Sequence, residues 1–222
     1  MQLAKTAVIV GATGLIGNEV VQLLLKDDHY DRVMVLVRRK MAMLHKKLEQ
    51  EIVDFDKLDQ AAHHLAGADV FCTLGTTIKK AGSQPAFIRV DRDYPLQLAQ
   101  LSKQHGAASF LIVTALGANP KSSIFYSRVK GELEVELKKL QLGSLHIFQP
   151  SLLLGDRAEV RLGERLASKL MPVIAFLFAG PLRPYKAIHA QTVAKAMIKA
   201  ALDRQLGHFT YTSDKIADFV QS

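Results

Sequence analysis

The stretch Thr6-Ala7-Val8-Ile9-Val10-Gly11-Ala12-Thr13-Gly14-Leu15-Ile16-Gly17 decides the fold. TAVIV carries no charge and is rich in β-branched residues, so it reads as a buried strand. Glycines follow, and then Ile16, Val20, Leu23 and Leu24 recur at helical spacing. A strand that turns through glycines into a helix opens a βαβ unit and makes a ready phosphate cradle. Gly11 permits the tight turn, Gly14 lets backbone approach a pyrophosphate, and Gly17 lets the helix pack closely on the strand. The spacing is Gly-x-x-Gly-x-x-Gly, so Ala12 stands where the dinucleotide fingerprint has its second glycine.

Outward from this unit, short apolar runs alternate with helical periods. Strands are expected at 32–37, 51–55, 68–73, 109–114 and 144–149, with helices at about 85–105 and 124–141. The runs are apolar throughout rather than alternating, as in strands covered by helices on both faces, which predicts a doubly wound, mostly parallel α/β sheet. Beyond Pro150 the pattern loosens. An apolar helix near 166–178, a proline-interrupted stretch at 180–185, a helix at 191–204, a strand at 208–212 and a short terminal helix are expected. With no linker or repeat, the chain reads as one domain over 1–222. Residues 1–150 would form the cofactor-binding core and 151–222 a small substrate-side lobe packed on the sheet.

Of the 222 residues 49% are hydrophobic and 23% charged, enough apolar side chain for a sizeable core and too much for disorder. Lys and Arg number 29 against 21 Asp and Glu, and the net charge of +8 favours an anionic ligand. The cations are scattered and tryptophan is absent, which argues against a nucleic-acid binder. Lys169, Pro172 and Gly180 interrupt the longest apolar segment, leaving it short of the roughly 20 residues of a spanning helix. The amino-terminal run Ala7–Val10 is too short for a signal peptide. A soluble, cytoplasmic protein is the expectation.

Two further features carry chemistry. Arg38-Arg39-Lys40 follows the second strand, where a carboxylate would contact the ribose of NAD, and no acid occurs until Glu49. Guanidinium groups there suit a 2′-phosphate, so NADP(H) is expected over NAD(H), held by Arg38 and Arg39. Tyr126 and Lys130 stand one helical turn apart. A phenol is a poor acid or base at neutral pH, and a neighbouring ammonium stabilises its anion. Thr114, at the tip of the fifth strand, offers a hydroxyl that could polarise a carbonyl.

These motifs, in this order, resemble the short-chain dehydrogenases/reductases, most closely the atypical branch related to the HIV Tat-interacting protein. The likeness runs through GATGLIG, VRRK, CTLGTTIKKAGS, FIRVDRDYP, YSRVKGELE and QPSLLLGDR, nearly the whole chain. It implies a Rossmann domain in which Tyr126 gives or takes the proton and Lys130 binds the nicotinamide ribose. It also implies that Gly11, Thr13, Gly14, Leu15, Ile16 and Gly17 hold the pyrophosphate, and that Asp54 contacts adenine with Phe55 beside the ring. Leu74, Gly75, Thr76 and Thr77 would line the middle of the cofactor, and Pro150, Ser151 and Leu152, after Gln149, would pass near the nicotinamide. Three positions depart from the family pattern: Thr114 replaces the usual serine, Asp91 a frequent asparagine, and Gln149 an arginine.

No metal is expected. The single cysteine, Cys72, excludes a multi-cysteine zinc site and reads as an inert buried thiol. His63 and His64 are neighbours that a helix would point apart, His189 reads as a helix-start residue, and Lys79 and Lys80 as a solvated loop. Glu134 and Lys138 read as a surface i, i+4 pair. The expected activity is reduction or oxidation of a small carbonyl/alcohol pair. The alternative is an NADP(H)-sensing protein that recognises a protein partner with little turnover. Sugar-nucleotide epimerase chemistry is disfavoured because only some 70 residues follow the sixth strand.

Overall fold

A computed structural model describes residues 5–155 and 180–222. The expected apolar helix near 166–178 lies outside the described residues. The first strand, β1 (Thr6–Val10), runs into the glycine turn and α1 (Leu15–Lys26). β2 (Arg32–Val37) and β3 (Leu48–Ile52) follow, then a 3-10 segment Phe55–Leu65 and β4 (Asp69–Cys72). Two short helices, α2 (Ile78–Ala81) and α3 (Gln84–Ile88), lead through a π turn at Arg89–Asp93 into α4 (Tyr94–Gln104). After β5 (Ser109–Val113), α5 (Phe125–Lys139) and β6 (Ser144–Gln149), a two-residue strand β7 (Leu153–Leu154) pairs with β8 (Ile188–His189). The chain closes with α6 (Ala190–Asp203), β9 (Gly207–Thr212) and α7 (Ser213–Gln221).

Among the described residues the main sheet has the order β3-β2-β1-β4-β5-β6-β9, every neighbouring pair parallel. Alternate residues of each strand face opposite layers. Ala7 and Ile9 of β1 pack with α1 and α6, through Val20, Leu24, Val193 and Met197. Val8 and Val10 pack with the 3-10 segment, α4 and α5, through Leu58, Leu98, Leu133 and Leu137. Both faces are thus covered, which is why the central runs contain almost no polar residue.

Two expectations shift. The third strand lies at Leu48–Ile52 instead of 51–55, and its sequence LEQEI is polar because it is an edge strand, half exposed. The carboxyl-terminal part does more than rest on the sheet: β9 pairs with β6 along its whole length and supplies the far edge strand.

The order reverses between β1 and β4, which lie side by side but are wound to opposite flanks. In such sheets the crevice for a ligand opens beyond the carboxyl ends of the strands at this point. Gly11 after β1 and Thr73 after β4 both stand there.

Candidate active site

The glycine turn is held shut against β4. Gly11 adopts φ +91°, and a Cβ on it would come within 2.6 Å of the Thr73 backbone. A Cβ on Gly17 would sit 2.2 Å from the Gly11 carbonyl oxygen. Neither position tolerates a side chain, so the first turn of α1 lies directly over the strand ends. Thr73 locks the other side, its N–H and hydroxyl both donating to the Val10 carbonyl (2.8 and 3.0 Å). Thr13 and Gly14 are exposed, and α1 begins without a side-chain cap or an acidic residue in its first turn. Its leading N–H groups and positive dipole end are therefore available to an anion. Arg38 and Arg39 stand at the end of β2, exposed and without an ion pair among the described residues. This cradle fits a nucleotide diphosphate.

Beside the cradle, Lys130 of α5 is buried and its Nζ lies 2.8 Å from Asp91 Oδ1. Asp91, itself buried, sits in the π turn, where the extra residue widens the helix and turns this side chain inward. Its other oxygen accepts the Thr76 N–H at 2.8 Å, tying the loop after β4 to the same carboxylate. Burial alone would push the Lys130 ammonium down, but Asp91, with help from Tyr126, carries it above the ordinary lysine value. Lys130 thus remains a cation, with donors to spare beyond the one Asp91 takes. Tyr126, one turn earlier and 38% exposed, rests its ring 5.8 Å from that of Phe87. Cys72, fully buried nearby, has its thiol pushed up to about 12 by burial, in keeping with an inert role.

A second buried cluster adjoins the first. Thr114 donates its hydroxyl proton to Glu134 Oε1 at 2.6 Å, and Gln149 Nε2 donates to both Glu134 oxygens at 2.9 Å. This corrects one expectation: Glu134 is buried inside the sheet–helix layer instead of forming a surface pair with Lys138. The Thr114 hydroxyl, buried just after β5, is held by the same carboxylate. The signal for Glu134 was present in the sequence: Tyr126, Lys130 and Glu134 recur every fourth residue on one helical face, and Gln149 replaces a cation with an amide that satisfies a carboxylate.

Other expected contacts are distributed around the crevice. Asp54 is exposed and accepts the Asp56 N–H at 3.0 Å, capping the 3-10 segment. The Phe55 ring is largely buried against Tyr94 at 5.5 Å. Leu74 packs partly into the core, Gly75 is exposed, and Thr77 caps α2 by accepting the Lys80 N–H at 3.1 Å. Pro150 is buried with its carbonyl accepting the Leu116 N–H, and Leu152 is exposed. Ser151 is engaged by Ser213 and by the Lys186 carbonyl. Gly155 lies against Leu15. His63 and His64 do not point apart: their ring centroids are 3.9 Å from each other.

The fold and the crevice define a nicotinamide-nucleotide-binding Rossmann protein. A family model described as NAD(P)H-binding matches residues 11–139, and the chain belongs to this family, among the atypical short-chain dehydrogenases/reductases. It is 36% identical to Protein HTATIP2 of Rattus norvegicus over 215 residues, 95% of this chain and 87% of that one. It is 28% identical to the mitochondrial Protein FMP52 of Coccidioides immitis over 210 residues, 89% of this chain and 85% of that one. The fold is similar to that of the Bordetella bronchiseptica enzyme WbmH, solved with NAD+, with a TM-score of 0.71 and 16% identity over 98% of this chain and 80% of that one. No helix among the described residues is long and apolar enough to cross a membrane.

Proposed function

We propose that the protein is an NADP(H)-dependent oxidoreductase that interconverts a small carbonyl compound and its alcohol. The observation that carries this is the buried Lys130–Asp91 pair one helical turn from the exposed Tyr126, beside a glycine turn that excludes side chains. A bound nicotinamide supplies or accepts the hydride. Tyr126 donates the proton to the substrate oxygen in reduction and takes it back in oxidation. Lys130 supports the negative charge that develops on the Tyr126 oxygen, and its remaining N–H groups are available to a ribose hydroxyl. Asp91 keeps Lys130 charged and in place, and through Thr76 fixes the loop that would flank the cofactor. Gly11, Thr13, Gly14, Leu15, Ile16 and Gly17 would hold the pyrophosphate and Arg38 and Arg39 the 2′-phosphate. Asp54, Leu74–Thr77 and Pro150–Leu152 would line the remainder. A cytoplasmic location belongs to this proposal, and cell fractionation is its check, since the fungal relatives are named mitochondrial.

The commitment of Thr114 to Glu134 favours a second reading, an NADP(H) sensor with little turnover that acts through a protein partner. A screen of aldehydes and ketones with NADPH, run on the wild type and Tyr126→Phe together, separates the two. Consumption that depends on Tyr126 supports the enzyme; equal background in both proteins supports the sensor.

A further inference from the structure

On the opposite flank of the sheet, Glu51, His63 and His64 bring one ligand atom each to within 4.8 Å of one another. Glu51 belongs to the edge strand β3, and the two histidines to the 3-10 segment beside it. The rings tilt 43° to each other, and His63 is exposed while Glu51 and His64 are half-buried.

The hydrogen bonds fix the tautomers. His63 Nδ1 is 3.2 Å from the Gln60 carbonyl oxygen, which only accepts, so Nδ1 is the donor and Nε2 is the nitrogen left for a ligand. An imidazole oriented through one nitrogen by a backbone carbonyl, with the other free, is the arrangement of a metal-ligating histidine. His64 Nε2 is 2.5 Å from Glu51 Oε2, and its Nδ1 has a long contact of 3.5 Å to Arg32. The Arg32 charge is already paired with Glu49 at 2.6 and 2.8 Å.

We infer that Glu51, His63 and His64 form a zinc site with a fourth position open to water. Two imidazoles and a carboxylate are the donor set of three-ligand zinc sites. Binding places the ion where the proton now joins His64 to Glu51; that proton moves to His64 Nδ1, and the long Arg32 contact yields. Ligands on one tetrahedral zinc, with bonds of about 2 Å, lie about 3.3 Å apart, so Glu51 and His64 need to separate by less than ~1 Å. A half-exposed glutamate does this by side-chain rotation. The ion would pin the edge strand to the segment that begins at Asp54 and Phe55.

The test is calorimetric titration of the tag-free chain with Zn²⁺ alone, beside Glu51→Gln and the double variant His63→Ala/His64→Ala. His63 is exposed whereas the His64 side chain is mostly covered, so circular dichroism verifies that the variants fold. The expected result is one equivalent bound by the wild type, a loss of about 10- to 100-fold in affinity for Glu51→Gln, and no comparable binding by the double variant. A wild type that binds no zinc, or variants that bind as it does, would overturn the site. Loss in the histidine variant with none in Glu51→Gln would overturn the three-ligand set.

Discussion

Lys130 Nζ lies 2.8 Å from Asp91 Oδ1 with both side chains buried, and the other Asp91 oxygen holds the Thr76 N–H. One carboxylate therefore joins α5, the π turn and the loop after β4. Asp91→Ala should leave a buried ammonium unpaired and lower stability by about 3–5 kcal/mol. Asp91→Asn retains an acceptor for Thr76 and should cost less, roughly 1–3 kcal/mol. Denaturant unfolding of both variants measures this, and equal losses would contradict the importance of the charge.

Tyr126 is half exposed on the same helical face. Tyr126→Phe keeps the ring against Phe87 and removes only the oxygen. Turnover on any carbonyl found to be reduced should fall about 10²- to 10⁴-fold, while NADPH affinity stays unchanged. A parallel loss of affinity would mean that the hydroxyl serves binding rather than proton transfer.

Glu134 satisfies Thr114 and Gln149 together. Glu134→Leu removes the acceptor of a half-buried amide and leaves the buried Thr114 hydroxyl only its long 3.5 Å contact to the Phe148 carbonyl, a loss of about 1–3 kcal/mol or more in all. Adding Gln149→Leu removes that amide and should restore part of the stability. Strictly additive losses in unfolding experiments would show that the two side chains are not coupled.

His146 is buried in β6, stacked on Phe209 and hydrogen-bonded to Ser144 and Tyr211. Burial pushes its imidazole down to about 4, against a weaker upward pull from Asp203 and Asp69. The folded state thus holds it neutral, whereas the unfolded chain takes up a proton below about 6.5. Its contribution is complete above pH 6.5 and is lost as pH falls from there toward 4, by roughly 3 kcal/mol at most. His146→Phe, which keeps the stacking, should flatten the decline in stability between pH 6.5 and 4.5. An unchanged slope would assign the decline to other groups.

The sheet was legible because its central strands are buried on both faces: TAVIV, RVMVLV and SFLIV announce themselves by lacking polar residues. β3 was misplaced for the same reason reversed, since an edge strand with an open side can carry LEQEI. The glycine turn and the Tyr126/Lys130 pair were visible as local spacings. Glu134 shared that helical spacing, but its partners Thr114 and Gln149 did not show, and neither did the role of Asp91, because these arise from contacts across separate elements. His63 and His64 lie on a 3-10 segment, not the α-helix whose spacing would set them apart, so helical periodicity does not anticipate their nearness.

The central claim is a nicotinamide-nucleotide site at the glycine turn that selects NADP(H) through Arg38 and Arg39. Titration of the wild type and of Arg38→Ala/Arg39→Ala with NADPH and with NADH, without substrate, tests it most directly. The account predicts that the wild type binds NADPH about tenfold or more tighter than NADH, and that the double variant loses this preference while its NADH affinity barely moves. Equal wild-type affinities for the two nucleotides, or a uniform loss for both in the variant, would contradict it.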